Sequence, residues 1–207
     1  MQGATPLRRF VVPALFVGAL FLVLFLRNQG DTAGSGDWTF RGPTMGTAWT
    51  VKIADPGLDD SSRDTAADTI QTVLDQVDQR MSTWKDDSEL SLLNRHTDGP
   101  YQVSDELMDV LVRAAEIHRL TGGAFDITVG PLVNAYGFGP DAPPQVPTEE
   151  EIQDLMGPTG QNKLILNRKD GTVSKQNSTL YCDLSGIAKG HAVDRVVLAL
   201  EELGHTN

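Results

Sequence analysis

The sequence predicts an α+β fold, in which helices pack on an antiparallel-rich sheet. Two patterns lead to this prediction. Apolar and polar residues alternate over short runs such as 49–53, which is typical of strands. Over residues 62–81 and 104–120, apolar residues recur every three to four positions, which is typical of amphipathic helices. The 207 residues are enough for one domain with a sizeable core.

The N-terminal residues are predicted to form a membrane anchor. Residues 10–26 contain no charge and follow Arg8 and Arg9, which favours a single spanning helix with residues 1–9 in the cytoplasm. A cleaved signal peptide is the alternative interpretation. In both cases the body is exported to the periplasmic, outer side of the inner membrane. Residues 27–37 are then a polar tether, and residues 38–207 are the folded domain.

Composition excludes several classes of partner and site. The chain has 17 basic and 28 acidic residues, a net charge of −11. We therefore expect no nucleic-acid partner, because phosphate backbones are bound by basic surfaces. Cys182 is the single cysteine, which excludes an intrachain disulfide and a cysteine-based zinc site.

Residues 38–81 are predicted to form a pair of strands followed by a helix. The strand pattern over 38–54 is interrupted at Met45 and Gly46, and Met45 taken alone is interpreted as core packing. The helix over 62–81 has one apolar stripe. Its residues are Ile70, Val73, Leu74, Val77 and Met81.

The next stretch, 81–94, combines one aromatic residue with several acids. Trp84 taken alone is interpreted as a core residue. Asp86, Asp87 and Glu89 could form a metal cluster, but three acids in a loop are more typical of a solvated turn leading into a helix. Ser88 is predicted to cap that helix. A further helix over 104–120 begins at an N-cap, Ser104.

Residues 121–140, TGGAFDITVGPLVNAYGFGP, are unusually rich in glycine. We expect Gly122 and Gly123 to end the preceding helix. Residues 125–129 alternate as a short strand would, and a break is predicted at 130–131. The glycines indicate either backbone held close to a ligand or a cluster of structural turns. A buried Asp126 would need hydrogen-bond donors, so it is a candidate site residue.

The remaining residues contain a connector, a helix, a hairpin, a strand and a final helix. The connector is 141–147, the helix 148–156 has a capping box, and the hairpin 163–175 turns at Asp170-Gly171. Residues 180–184 have strand character. The final helix opens at Gly186, and its predicted stripe contains Ala192, Val193, Val196, Leu200 and Leu203. Small residues and Lys189 at its start favour phosphate binding.

Four stretches together resemble the ApbE family of flavin transferases. They are PTMGTAW at 43–49, MSTWKDDSELSLLN at 81–94, GAFDITVGPLVNAYGFGP at 123–140 and DLSGIAKGHAVDRV at 183–196, in the order in which the family has them. The resemblance covers about residues 38–204. It implies an ApbE-like, T-fold-like domain. Because the family continues further, the chain is interpreted as its N-terminal part, with the C-terminal part missing.

The resemblance also implies an activity and a set of site residues. Family members transfer the FMN part of FAD to a Thr or Ser hydroxyl of a target protein, release AMP and depend on Mg²⁺. The positions that match cofactor contacts are Met45, Trp84, Ala124, Phe125, Asp126, Asp183 and Lys189. The backbone carbonyl of Gly186 matches a metal ligand. The remaining ligands are expected beyond residue 207, so residues 1–207 alone are expected to be inactive, and no catalytic residue is assigned.

Other functions remain open at this point. The chain could be a flavin-binding electron carrier, an FAD pyrophosphatase that gives FMN and AMP, or a structural envelope protein. For a transferase, the resemblance implies FAD and a target protein as partners. That target would be a membrane subunit of an electron-transport complex.

Overall fold

The computed structural model describes residues 37–54, 59–140 and 146–206. Its helices occur together with antiparallel strands, as in an α+β fold. They are β1 (Asp37–Thr44), β2 (Thr47–Ala54), α1 (Asp60–Met81), α2 (Glu89–Arg95), β3 (Tyr101–Gln102), α3 (Asp105–Leu120), α4 (Gly130–Ala135), α5 (Glu149–Met156), β4 (Leu164–Asn167), β5 (Thr172–Lys175) and α6 (Ala188–Glu202). Single 3₁₀ turns cover Ile127–Val129 and Gln161–Lys163.

The described strands form two antiparallel sheets. β1 and β2 make a hairpin, paired from Asp37 with Ala54 to Thr44 with Thr47. The other sheet has the order β3–β5–β4. Both predicted strand pairs are therefore confirmed, and the second turns where expected, with Gly171 at a φ of 65°.

The core lies between helix α1, helix α6 and the β1–β2 hairpin. Helix α1 buries four of the five residues predicted for its stripe and packs along α6. Helix α3 begins at Ser104, whose hydroxyl accepts a hydrogen bond from the Leu107 N–H. In α6, Ala192, Val196 and Leu200 are buried as predicted.

Two residues of the predicted α6 stripe are not buried. Val193 is 62% exposed and Leu203 is 41% exposed. The helix buries a narrower face than its composition suggested, and Val193 instead lines a groove of about 520 Å³ between β2 and α6.

The strand predicted over 125–129 is wrong. These residues form a 3₁₀ turn that leads directly into α4. The Asp126 carboxylate accepts hydrogen bonds from the Thr128 N–H (2.8 Å) and hydroxyl (2.6 Å), which closes the chain into a turn. The predicted break at 130–131 is wrong as well. Pro131 lies in the first turn of α4, where its missing N–H is not needed.

The strand predicted over 180–184 is also wrong, although Leu180, Cys182, Asp183 and Leu184 are buried. The segment runs without a neighbouring strand. Its backbone is paired instead with the Asn94 side chain and with the Ile127 carbonyl. Burial alone therefore did not distinguish a strand from a coil with other partners.

The predicted anchor at 10–26 and nearly all of the tether lie outside the described residues, as do residues 141–145 of the connector. Of the helices that the structure describes, none is both long enough and apolar enough to cross a bilayer.

Replacing either of two helical glycines with alanine should change the free energy of unfolding, in opposite directions at the two positions. A methyl group on Gly130 would overlap the Tyr181 ring and lie 3.0 Å from its carbonyl oxygen, whereas one on Gly190 would meet nothing within 4 Å. We expect Gly130→Ala to lower the free energy of unfolding by about 1–3 kcal/mol. Gly190→Ala should raise it by up to about 1 kcal/mol. Urea denaturation of both variants measures this, and an unaffected Gly130→Ala would contradict the close packing of α4 on residue 181.

Candidate functional site

A small cleft of about 60 Å³ brings together three of the predicted site residues. Met45 from the β1–β2 turn, Trp84 from the α1–α2 loop and Lys189 from the first turn of α6 line it. They are widely separated in the sequence, so only the tertiary fold makes them neighbours. The other residues of the cleft are Asp78, Met81, Ser82, Thr83, Ser185 and Ala188.

Met45 lies at the tip of the hairpin in a conformation that methionine rarely adopts. Its φ is 46°, and that of Gly46 is 69°, so both central residues of the turn are left-handed. Asn-Gly is the usual sequence for such a turn. A non-glycine residue in this conformation costs about 1–2 kcal/mol. Strained backbone of this kind is typical of positions at which a functional side chain is held in one fixed orientation.

Trp84 is an exposed aromatic residue on a restrained loop. Its side chain is 67% exposed, so the interpretation of Trp84 as core is wrong. The backbone N–H of Trp84 donates to the Ser82 hydroxyl at 3.1 Å. The Lys85 ammonium lies 2.7 Å from the Asp78 carboxylate, and this hydrogen bond raises the pKa of Lys85. The loop therefore holds a flat apolar surface open beside the cleft.

The acids that follow Trp84 do not form a metal centre. Ser88 caps α2 as predicted, by accepting a hydrogen bond from the Ser91 N–H. The Glu89 carboxylate accepts hydrogen bonds from the N–H and the hydroxyl of Ser104 and so supports the start of α3. Across the described ranges, no group of three or more His, Cys, Asp or Glu residues could hold a metal ion. This agrees with the interpretation as a solvated turn.

The start of α6 presents unpaired backbone groups. Ile187, at the N-cap position, provides no side-chain cap. Within the described part of the chain, the N–H groups of Lys189 and Gly190 have no acceptor and the Gly186 carbonyl has no donor. Such N–H groups, together with the helix dipole and the Lys189 ammonium, form a local site for an anion.

The Asp126 carboxylate accepts its hydrogen bonds from groups within the chain. Besides the two bonds from Thr128, its carboxylate accepts one from the Gln161 N–H at 3.0 Å. The Thr128 hydroxyl in turn accepts from the Gly160 N–H at 2.7 Å. His118 lies 3.7 Å from the same carboxylate. The donors that a buried Asp126 was predicted to need are thus present within the chain, and the carboxylate fixes the 126–128 turn to the 160–161 loop.

Phe125 and Gly186 are in contact. The Phe125 ring is so close to Gly186 that a methyl group there would lie 3.1 Å from the ring. The Phe125 carbonyl accepts a hydrogen bond from His118 Nδ1 at 2.8 Å, and Ala124 is exposed beside it. Asp183 is 7% exposed, and its carboxylate accepts from the Ser185 N–H at 2.7 Å. These four predicted residues therefore surround the turn before α6 rather than line the small cleft.

Cys182 is buried next to this turn. Burial raises the pKa of its thiol to about 12. The thiolate, which is the reactive form, is therefore scarce at neutral pH.

The sequence did not indicate three residues that support the site: Asn94, Thr128 and Ser185. Thr128 and Asn94 make side-chain hydrogen bonds to distant parts of the chain, which no local pattern reveals. Asn94 and Ser185 do lie in two of the family-like stretches, and that was the available signal.

Comparison with known proteins gives consistent results. The model of the ApbE family matches residues 45–207. The curated protein named FAD:protein FMN transferase from Vibrio cholerae is 45% identical over 169 residues, which cover 80% of this chain and 49% of that protein. The protein of the same name from Escherichia coli K12 is 39% identical over 201 residues, 94% of this chain and 57% of that protein.

Solved structures agree with the sequence comparison. The flavin transferase ApbE from Vibrio cholerae superposes with a TM-score of 0.77 at 42% identity, covering 83% of this chain and 55% of that one. The flavinyl transferase ApbE from Pseudomonas stutzeri, in its apo form, gives 0.74 at 31% identity, covering 82% and 56%. The chain spans about half the length of the curated relatives it matches.

Proposed function

Because this chain belongs to the ApbE family, we propose that it serves in Mg²⁺-dependent protein flavinylation. In this reaction the FMN part of FAD is transferred to a Thr or Ser hydroxyl of a target protein, and AMP is released. The observation that carries the proposal is the cleft in which Met45, Trp84 and Lys189 meet beside the uncapped start of α6. The relatives named FAD:protein FMN transferase supply the substrate class.

The chemistry of the cleft fits a flavin dinucleotide. FAD has flat ring systems joined by a pyrophosphate. The exposed face of Trp84 and the thioether of Met45 suit a flat aromatic ring. The N–H groups at the start of α6 and the Lys189 ammonium suit the pyrophosphate.

The transfer itself is a phosphoryl transfer. The acceptor hydroxyl attacks the phosphorus of the FMN half, its proton is lost, and the bond to the AMP phosphate breaks with AMP leaving. Lys189 and the α6 N–H groups would offset the negative charge of the pyrophosphate and orient it. Mg²⁺ would add charge neutralisation when bound.

The described residues do not by themselves form a magnesium site. The unpaired carbonyl of Gly186 is one suitable hard oxygen ligand, but Mg²⁺ requires near-octahedral coordination that includes anionic oxygens. No step is therefore assigned to the metal from these residues. Asp183 is close in sequence to Gly186, but one of its oxygens already accepts the Ser185 N–H.

Lys189 provides the direct test of the proposal. In the full-length protein, we expect Lys189→Ala to weaken FAD binding about tenfold or more, because a charge-assisted contact is worth about 1.5–3 kcal/mol. Lys169→Ala, at the exposed β4–β5 turn, should leave the Kd unchanged. Calorimetry measures the affinity, and mass spectrometry of an acceptor protein detects the FMN adduct.

The products distinguish the alternatives. An FMN adduct with released AMP supports the transferase, whereas free FMN with AMP and no adduct indicates a pyrophosphatase. Bound FAD without AMP would indicate an electron carrier. Equal Kd values for Lys189→Ala and Lys169→Ala would show that the pyrophosphate lies elsewhere.

Met45 tests the aromatic part of the site. Asn tolerates the left-handed conformation, so in Met45→Asn the relief of strain should offset lost packing and leave the free energy of unfolding within about 1 kcal/mol. FAD affinity should nevertheless fall about three- to tenfold, since sulfur–aromatic contacts are worth about 0.3–1.5 kcal/mol. Urea denaturation and calorimetry measure the two effects. A folded variant with the original Kd would remove Met45 from the site.

We further propose that residues 10–26 remain attached and anchor the protein in the inner membrane, with the domain on the periplasmic side. The acceptor would then be a membrane subunit of an electron-transport complex. The uncharged run after Arg8 and Arg9 motivates this placement. N-terminal sequencing of the exported protein checks it. A mature chain that starts near Asp31 would contradict the anchor.

A further inference from the structure

The segment 180–184 is largely buried but has no neighbouring strand in the described structure. Its central residue, Cys182, is held by one side chain instead. Asn94 Nδ2 donates to the Cys182 carbonyl at 2.9 Å, and the Cys182 N–H donates to Asn94 Oδ1 at 2.8 Å. This is the same two-bond exchange that a paired residue makes in an antiparallel sheet. Asn94 is 7% exposed, so water does not readily replace it.

Asn94 is itself fixed by an ammonium group. It lies in the last turn of α2, where carbonyls lack helical partners. Lys175 Nζ donates to the Asn94 carbonyl at 2.7 Å and to the Leu180 carbonyl at 3.2 Å. The same ammonium donates to the Ser178 carbonyl at 3.0 Å. Lys175 thus connects the end of α2 to Leu180, the first residue of the segment 180–184.

The fixed point at Cys182 lies immediately before the candidate site. The Asp183 N–H donates to the Ile127 carbonyl at 2.7 Å, and the Leu184 carbonyl accepts the N–H groups of Ile187 and Ala188. Hydrogen bonds at Cys182, Asp183 and Leu184 therefore fix the chain between the Asn94 contact and the first turn of α6. A shift of Cys182 would move Asp183, Gly186 and Lys189 together.

From this geometry we propose that Asn94, supported by Lys175, is a positioning residue for FMN transfer. It touches none of the described clefts and acts through the segment that carries Asp183 and Lys189. The proposal rests on the proposed function, and its specific content is that the Asn94 amide helps to fix the position of the turn before α6.

The central test is Asn94→Asp in the full-length protein. This variant keeps the shape of the side chain and an acceptor for the Cys182 N–H. It removes the donor and places an oxygen against the Cys182 carbonyl. We expect FAD affinity and the transfer rate per folded molecule to fall about ten- to hundredfold, the loss that a displacement of about 1 Å can produce. Amide hydrogen exchange at Cys182 should speed up in the same variant.

Asn167→Asp is the matched control. Asn167 also makes two side-chain hydrogen bonds, both to Asp170 in the exposed β4–β5 turn, and it lines none of the described clefts. It should change stability slightly and leave FAD binding and transfer unaffected. Transfer rates are compared at a temperature where circular dichroism shows both variants to be fully folded. If Asn94 had a purely structural role, Asn94→Asp and Asn167→Asp would then have equal rates.

Lys175→Met covers the case in which Asn94 variants fail to fold. It removes the hydrogen bond to the Asn94 carbonyl while keeping an apolar chain of similar length. FAD affinity and the transfer rate should therefore both fall, by a smaller factor than in Asn94→Asp. Wild-type Kd and transfer rate in folded Asn94→Asp, or in Lys175→Met when Asn94→Asp does not fold, would overturn the proposal. Absence of transfer by the wild-type protein would instead contradict the proposed function, and calorimetric FAD binding would still test the positioning.

Discussion

The arrangement of this domain depends on how one buried stretch of irregular backbone satisfies its hydrogen bonds. Residues 180–184 pass through the core, where an unpaired N–H or carbonyl would cost roughly 1–3 kcal/mol. No strand lies beside them in the described structure, and the Asn94 amide takes the place of one. The direction in which the chain leaves this contact fixes where α6 begins, and with it the Lys189 ammonium and the Gly186 carbonyl.

A second polar network fixes the 126–128 turn, which follows Phe125. The Asp126 carboxylate and the Thr128 hydroxyl bind the 126–128 turn to Gly160 and Gln161. These bonds fix the residues that follow Phe125, whose ring lies against Gly186. The predicted residues thus divide into two groups by physical role. Met45, Trp84 and Lys189 line the small cleft, whereas Phe125 lies against Gly186 and Asp126 fixes the turn that follows Phe125.

The charge around the start of α6 differs from that of the protein as a whole. The net charge is −11, so long-range attraction does not favour phosphates in general. The local field at the start of α6 is different, because unpaired N–H groups and Lys189 converge there. Glu106 holds this helix in place. Its carboxylate lies 2.9 Å from His191 Nε2 and also pairs with Arg80 on α1, so the positive end of α6 is fixed relative to the core.

The sequence by itself determined the α+β class, the helices with one apolar face, the two hairpins and the caps, because these follow from local periodicity and turn chemistry. Ser88, Ser104 and Thr148 cap helices as predicted, each through a bond within three residues. Only the tertiary structure decided that 180–184 is not a strand, since the backbone there is paired with Asn94, which is far along the chain. Local bonds from Thr128 to Asp126 close the 126–128 turn, and the tertiary structure decided that this turn is bonded to Gly160 and Gln161. It also decided that Trp84 is exposed and that Met45 and Lys189 share a cleft, because contacts between distant residues are set by packing, which local patterns do not encode.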